Sequence, residues 1–449
     1  MRFLPEGTSL SVAVVGFGYV GSCLGATLAG GDITVLGVDS DRGMVEEMNA
    51  GRCRFGEPGL AGLLAGALES GALQVTADYE LIAKTDVIVV TVGTPIDDAG
   101  SALTGQLEAA CRELAPRLRP GQLVILKSTV PPGTMRRLVL PLLEAGGLRQ
   151  GTDFGLAFCP ERLAEGAALD QLRRLPIVVG GVDPDSTSAA AAFWQRALGV
   201  RTIGFDAPEV AEFVKLADNW WIDLNIAMAN ELAKVCAAYD TDVLDVITAA
   251  NSLPKGDSFV NILRPSIGVG GSCLTKDPWM VWHAARDHGV ALRTVEAARA
   301  VNDGMPGYTF DVVTRGLAAL GRPGPARVAV LGVSFKSDTG DMRRTPVKPV
   351  IGALRAAGHD VTVYDPLVPR SDAEAVLGVP AARTPREAAE GAACVAVLAG
   401  HREFQELDFG DLRSVVEMPC LILDGRAYYS REKIDELGRL GFVYRGIGR

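Results

Sequence analysis

The sequence predicts an α/β protein built from two doubly wound parallel sheets joined by a long central helix. Three observations predict it. An apolar run ending at Gly16 opens a glycine-rich turn, and the next strand ends in Asp39. The same arrangement returns in the last third of the chain, where VAVLG ends at Gly332 and the following strand ends at Asp365. Between them, from Pro208 to Tyr239, there is no glycine and no further proline. Strands that alternate with amphipathic stretches make parallel sheets, and a glycine turn that leads from strand to helix marks a Rossmann-type unit.

Taken in order, residues 11–15 and 34–38 read as strands with a helix between them, and 87–92 and 123–126 continue the series. Further short strands follow at 155–158, 177–179 and 200–203, closing a first domain over residues 1–205. Asp206 can then cap a helix whose first turn holds Pro208, a favoured arrangement. That helix reaches about Tyr239, roughly 45–50 Å at 1.5 Å per residue. Its apolar residues, among them Val210, Phe213, Trp220, Trp221, Met228 and Val235, cover more than one stripe, so it is buried or lies between domains or subunits. A central domain spans 206–305. Gly321-Arg322-Pro323-Gly324-Pro325 is a loop signal inside the last domain, 306–449, whose strands fall at 327–331 and 360–364.

Bulk properties narrow the function classes. A chain of 449 residues, 48% hydrophobic and 22% charged, is a globular enzyme-like composition rather than a disordered or fibrous one. No apolar run approaches the ~20 residues of a membrane span, and MRFLPEGTSL lacks the apolar core of a secretory signal, so a cytoplasmic protein is expected. The net charge of −10 argues against nucleic acid as a partner. Eight scattered cysteines without CxxC spacing read as reduced thiols, and four histidines without ligand spacing predict no metal site.

The motifs carry the chemistry. Gly16-Phe17-Gly18-Tyr19-Val20-Gly21 follows a strand, opens a helix and precedes Asp39 by the spacing of a dinucleotide site. The glycines admit a pyrophosphate, and Asp39 accepts from the adenine ribose while repelling a 2′-phosphate, which favours NAD over NADP. At later strand ends stand Val92-Gly93-Thr94-Pro95 and Lys127-Ser128-Thr129-Val130-Pro131-Pro132-Gly133-Thr134, where hydroxyl residues suit cofactor and substrate contact but also populate ordinary turns. In Pro160-Glu161-Arg162-Leu163-Ala164-Glu165-Gly166 two carboxylates four apart would share a face if helical, although an acidic first turn that complements a helix dipole is the simpler reading. Lys215 and Asn219 are i, i+4 neighbours on the long helix, either donors aimed at an oxyanion or, with Asp223 extending the row, a solvated stripe. The most informative run is Gly268-Val269-Gly270-Gly271-Ser272-Cys273-Leu274-Thr275-Lys276-Asp277. Its glycines let backbone N–H groups approach a ligand, Lys276 favours thiolate and Asp277 is a nearby base. A dinucleotide site with a reactive cysteine suggests aldehyde-level oxidation through a thioester.

These motifs, together with Asn230-Glu231 and Phe335-Lys336-Ser337-Asp338-Thr339-Gly340-Asp341-Met342-Arg343, resemble the UDP-glucose/GDP-mannose dehydrogenase family over nearly the whole chain. The resemblance implies an N-terminal NAD-binding domain, a central dimerising domain that carries the catalytic cysteine, and a C-terminal domain that grips the nucleotide of the sugar. It implies oxidation of a hexose C6 alcohol to the uronic acid with two NAD in succession. In that scheme Cys273 is the nucleophile, Lys215 and Asn219 stabilise oxyanions, Asp277 and Thr129 hold or activate water, and Glu161 assists proton transfer. Gly16, Gly18, Tyr19, Val20, Gly21, Asp39, Thr94, Thr129, Glu165 and Lys276 are the implied cofactor contacts. Glu161, Lys215, Asn219, Gly270, Phe335, Lys336, Arg343 and Arg426 are the implied substrate contacts. Two positions point to different branches. Ser272 before Cys273 resembles the glucose enzymes, whereas Arg162 after Pro160-Glu161 is common among the N-acetylhexosamine enzymes. UDP-glucose is the leading expectation, with dTDP-glucose, a UDP-N-acetylhexosamine, and a silent nucleotide-sugar sensor as the alternatives. Lys255-Gly256-Asp257 stands where animal glucose-type enzymes carry an arginine that reaches the neighbouring subunit.

Overall fold

The computed structural model of the chain describes residues 2–5, 7, 9–97 and 99–449, so Met1, Glu6 and Thr8 of the N-terminal stretch lie outside the described residues. The chain folds as two compact units, residues 1–218 with 279–291 and residues 219–278 with 292–449.

Among the described residues the first unit holds eight strands: β1 (Leu10–Val15), β2 (Ile33–Val38), β3 (Leu73–Thr76), β4 (Val87–Val90), β5 (Leu123–Leu126), β6 (Gly155–Phe158), β7 (Ile177–Gly181) and β8 (Thr202–Phe205). Their order is β3-β2-β1-β4-β5-β6-β7-β8, the 3-2-1-4-5-6 winding of a dinucleotide fold extended by two strands. The sheet is parallel except where β6 meets β7, so the expected all-parallel sheet has one antiparallel step. Both faces are covered, which is why the strands read as continuous apolar runs. In β1, Val12 and Val14 enter one core, and Ala13 and Val15 enter the other. β4 stops at Val90, two residues before the apolar run ends, which frees Thr91–Gly93 for the site.

In the second unit a short antiparallel pair, β9 (Pro254–Lys255) and β10 (Ser258–Phe259), brackets Gly256-Asp257. Five parallel strands follow: β11 (Arg327–Leu331), β12 (Asp360–Tyr364), β13 (Cys394–Val397), β14 (Leu421–Asp424) and β15 (Val443–Gly446), ordered β12-β11-β13-β14-β15. Again alternate residues of β11 serve two cores, Val328 and Val330 in one and Ala329 and Leu331 in the other. Each sheet reverses its winding beside the strand that ends in glycine, between β1 and β4 and between β11 and β13. Ligands bind outside the carboxyl ends of the strands at such a point.

The long helix runs Pro208–Ala238, 31 residues, within a turn of its expected length. Among the described residues no helix is long and apolar enough to cross a membrane.

Candidate active site

At the carboxyl end of β1, Gly16 takes φ +88°, and a Cβ there would lie 2.8 Å from the backbone nitrogen of Val92. A Cβ on Gly21 would lie 2.2 Å from the Gly16 carbonyl oxygen. Packing of strand against helix therefore demands both glycines. Gly18 is different: a Cβ there would meet nothing within 4 Å. Its bareness serves no protein neighbour and leaves room for a ligand. It lines a cavity of about 820 Å³ with Gly16, Asp39, Thr91, Val92 and Gly93. Asp39 accepts the N–H of Phe17 at 2.7 Å and that of Asp41 at 2.9 Å, which fixes its carboxylate and leaves lone pairs for two ribose hydroxyls. Tyr19, Val20 and Gly21 form the first turn of the helix Tyr19–Leu28, whose N-terminus follows directly on Gly18 at the cavity edge. Cavity, bare glycine and ribose acceptor together fit NAD.

The loops after β4 and β5 meet where Thr94 donates its hydroxyl to the carbonyl of Thr129, and Ser128 donates to the carbonyl of Val92 at 2.7 Å. The stretch 160–164 is not helical, so Glu161 and Glu165 do not share a helix face and neither partners a helix dipole in the expected way. Residues 159–164 leave β6 as an irregular segment in which Glu161 accepts the N–H of Leu163. The other oxygen of Glu161 lies 3.5 Å from Nζ of Lys215, in an ion pair whose partners are 13% and 6% exposed. Glu165 is partly buried on the same segment.

Sequence reasoning missed two supports of these loops. Lys127 is 3% exposed and donates to the carbonyl of Pro160 at 3.3 Å, with the Trp194 ring 5.2 Å away. Burial lowers the proton affinity of its ammonium. Glu212, on the long helix, accepts N–H groups of Gly133 at 2.5 Å and Met135 at 2.8 Å, and so sets the turn of the KSTVPPGT motif. Desolvation pushes its carboxyl up to about 7 against those two hydrogen bonds. Only the placement of both groups under strand ends, invisible in one dimension, reveals them.

The solvated-stripe reading of Lys215, Asn219 and Asp223 fails. They are 5%, 7% and 0% exposed, and each is held by a polar partner. In the second unit Asn219 donates to Asp277 at 2.5 Å, and the other oxygen of Asp277 pairs with Nζ of Lys276 at 2.8 Å. Lys276 thus neutralises the Asp277 carboxylate three residues after the Cys273 turn opens. Asp223 pairs with the buried guanidinium of Arg299 at 2.7 Å and accepts from Asn302 at 2.8 Å, which ties the long helix to the helix Arg293–Ala319.

Cys273 is the one exposed cysteine of the eight. Its carbonyl accepts the N–H groups of Lys276 at 3.0 Å and Asp277 at 2.8 Å, a tight turn that leads into the helix Asp277–Asp287. The preceding glycines are packing requirements. A Cβ on Gly270 would stand 2.5 Å from Cβ of Phe335 and 2.8 Å from the carbonyl oxygen of Arg344. The N–H of Gly271 is held by the carbonyl of Arg343 at 3.0 Å. The cysteine turn is thus seated directly on the loop that follows β11.

That loop carries Phe335, Lys336 and Arg343. Arg343 is spent largely on Asp341, with Nη2 at 2.6 Å. Arg426, just past β14, donates its guanidinium to the carbonyls of Phe335 at 2.7 Å and Leu398 at 2.9 Å, and that guanidinium has no carboxylate partner among the described residues. Burial pushes its pKa down to about 10, still a cation at neutral pH and suited to a diphosphate. His401 was not expected. It is 1% exposed, its Nε2 faces Asp365 at 3.0 Å and its Nδ1 accepts the N–H of Asp338 at 2.8 Å, which holds the same loop in place.

Comparison with known proteins follows this division. Residues 10–198 match the NAD binding domain of the UDP-glucose/GDP-mannose dehydrogenase family, 209–304 its central domain and 329–431 its UDP binding domain. The chain is 31% identical to a UDP-N-acetyl-D-mannosamine dehydrogenase of Pyrococcus horikoshii, over 98% of this chain and 99% of that one. It is 33% identical to a UDP-glucose 6-dehydrogenase of Rhizobium meliloti, over 98% and 100%. A solved UDP-D-ManNAc dehydrogenase structure from Pyrococcus horikoshii superposes with a TM-score of 0.87 at 30% identity, covering 98% and 99% of the two chains.

Proposed function

The chain belongs to the UDP-glucose/GDP-mannose dehydrogenase family and is an NAD-dependent nucleotide-sugar dehydrogenase, and from that premise we propose that it oxidises C6 of UDP-glucose to the carboxylate through a thioester on Cys273. One observation carries the covalent step: of eight cysteines, the exposed one sits on the glycine turn that is seated on the loop that follows β11.

NAD, when bound, accepts the hydride that leaves C6 in each of the two oxidations. The alcohol first becomes the aldehyde, and its hydroxyl proton is released. The Cys273 thiolate adds to the aldehyde carbon, forming a C–S bond and an oxyanion that is protonated to the thiohemiacetal. Loss of the second hydride and of the hydroxyl proton leaves the thioester. Water then adds, the C–S bond breaks, and uronate and thiolate separate. Lys215 supplies the charge for developing oxyanions, and Asn219 the amide donor. Asp277, with Thr129, holds the attacking water, and Glu161 carries protons during thioester formation and hydrolysis. A covalent intermediate keeps the reactive aldehyde from escaping between the two oxidations. Phe335, Lys336, Arg343 and Arg426 hold the sugar diphosphate, and Gly270, by admitting Phe335 against its backbone, lets the cysteine turn sit on that loop.

Ser272 before Cys273 supports glucose. The second reading, a UDP-N-acetylhexosamine with the same chemistry, is supported by the likeness to the mannosamine enzyme and by Arg162, which is held by Asp218 at 2.8 Å. A homodimer completes the proposal. Phe213, Trp221, Met228 and Val235 are 48%, 49%, 51% and 56% exposed, and their spacing places them within one face of the long helix, an apolar stripe that a second copy would cover.

The test is NADH production with UDP-glucose, dTDP-glucose, UDP-GlcNAc, UDP-ManNAc and GDP-mannose, counted per sugar consumed. Two NADH per sugar with UDP-glucose as the best substrate is the expected result. One NADH per sugar removes the four-electron reaction, and an acetamido sugar ranked first moves the chain to the second reading.

A further inference from the structure

Glu57 belongs to no motif assigned above. It stands in Gly56-Glu57-Pro58-Gly59 and is 6% exposed. Its charge is met by three donors. Oε2 accepts the hydroxyl of Tyr19 at 2.5 Å and the N–H of Gly166 at 2.7 Å, and Oε1 accepts the N–H of Ala168 at 2.7 Å. Tyr19 belongs to the glycine-rich turn of the NAD site. Gly166 and Ala168 end the segment that carries Glu161 and Glu165. A buried carboxylate is costly unless every lone pair it turns inward finds a donor, and these donors come from two loops with separate duties. The surroundings are buried: Cys23 beside it has no solvent exposure, and burial pushes that thiol up to about 12, with the Glu57 charge adding to the effect.

We infer that Glu57 is a positioning residue that ties the glycine-rich turn, through Tyr19, to the 161–168 segment, so that cofactor binding orders the loop carrying Glu161. Glutamine cannot replace it, because its one carbonyl oxygen and one NH₂ group would set a donor against an N–H or O–H donor. The inference rests on the cofactor site and on the role proposed for Glu161.

The experiment is amide hydrogen exchange at Gly166 and Ala168, with and without NAD, in wild type, Tyr19→Phe and Glu57→Gln. Exchange needs no sugar, so failure of the sugar assay would remove the catalytic reading without touching this one. In wild type, saturating NAD is expected to slow exchange at both amides at least fivefold. Tyr19→Phe keeps the exchange rates of the NAD-free protein within twofold but loses the slowing. Glu57→Gln raises NAD-free exchange at least tenfold, and its kcat falls about tenfold while NADH binding persists. Full NAD-dependent slowing in Tyr19→Phe, or wild-type exchange and kcat in Glu57→Gln, overturns the inference. Should Glu57→Gln fail to fold, Tyr19→Phe, which removes a single oxygen, decides it alone.

Discussion

Asn219 donates its amide to a carboxylate of Asp277 that has no solvent exposure, 2.5 Å away. A buried acceptor that loses its donor costs about 1–3 kcal/mol, so Asn219→Ala should lower thermal stability by that order. It should also reduce kcat/KM by at least tenfold, because Asp277 no longer has a fixed orientation. Steady-state kinetics with melting curves check both effects. Unchanged kinetics would separate the pair from catalysis.

The glycines of the first turn should divide by function. Gly18→Ala adds a methyl to open space, so the variant should fold with wild-type stability and bind NAD at least tenfold more weakly. Gly21→Ala drives a methyl into the Gly16 carbonyl and should fail to give a stable first unit. Circular dichroism and NADH fluorescence titration distinguish the two. Tight NAD binding by Gly18→Ala would contradict the placement of the pyrophosphate.

Arg299 is 3% exposed and relies on Asp223. Asp223→Ala leaves that guanidinium buried beside one fewer charge, and breaking such a pair costs about 3–5 kcal/mol. Replacing both partners, Asp223→Leu with Arg299→Met, should recover most of the loss, because no uncompensated charge remains. Denaturant melts of the two variants measure the difference.

Trp221→Glu and Met228→Glu place charges on the exposed stripe of the long helix and should convert the proposed dimer to monomer in light scattering. Melting temperatures of the monomer should stay close to wild type, since neither side chain is in the core.

Much of this architecture is legible in the sequence. β5, β6, β11 and β12 fall where the apolar runs predict, because strands covered on both faces must be apolar throughout. The long helix was legible from its lack of glycine and proline. What escaped was long-range pairing. Nothing near Asp223 in the chain hints at Arg299, and Asp223 therefore resembled a surface residue. Glu57, Lys127 and Glu212 each satisfy backbone groups of a distant loop, a duty with no local pattern. Both readings of Glu161 and Glu165 assume a helix that residues 160–164 do not form, because carboxylate spacing alone carries no signal for an irregular segment. β13 to β15 are short and flanked by further apolar residues, so periodicity alone gave them no boundary.

The proposed chemistry turns on the Cys273 sulfur, and the most direct measurement is uronate release by Cys273→Ser given UDP-glucose and NAD. The account predicts that binding of the nucleotide sugar survives while uronate formation falls by about 10⁴-fold or more, as for other enzymes stripped of their nucleophile. Undiminished release, with two NADH still formed per sugar, would contradict it.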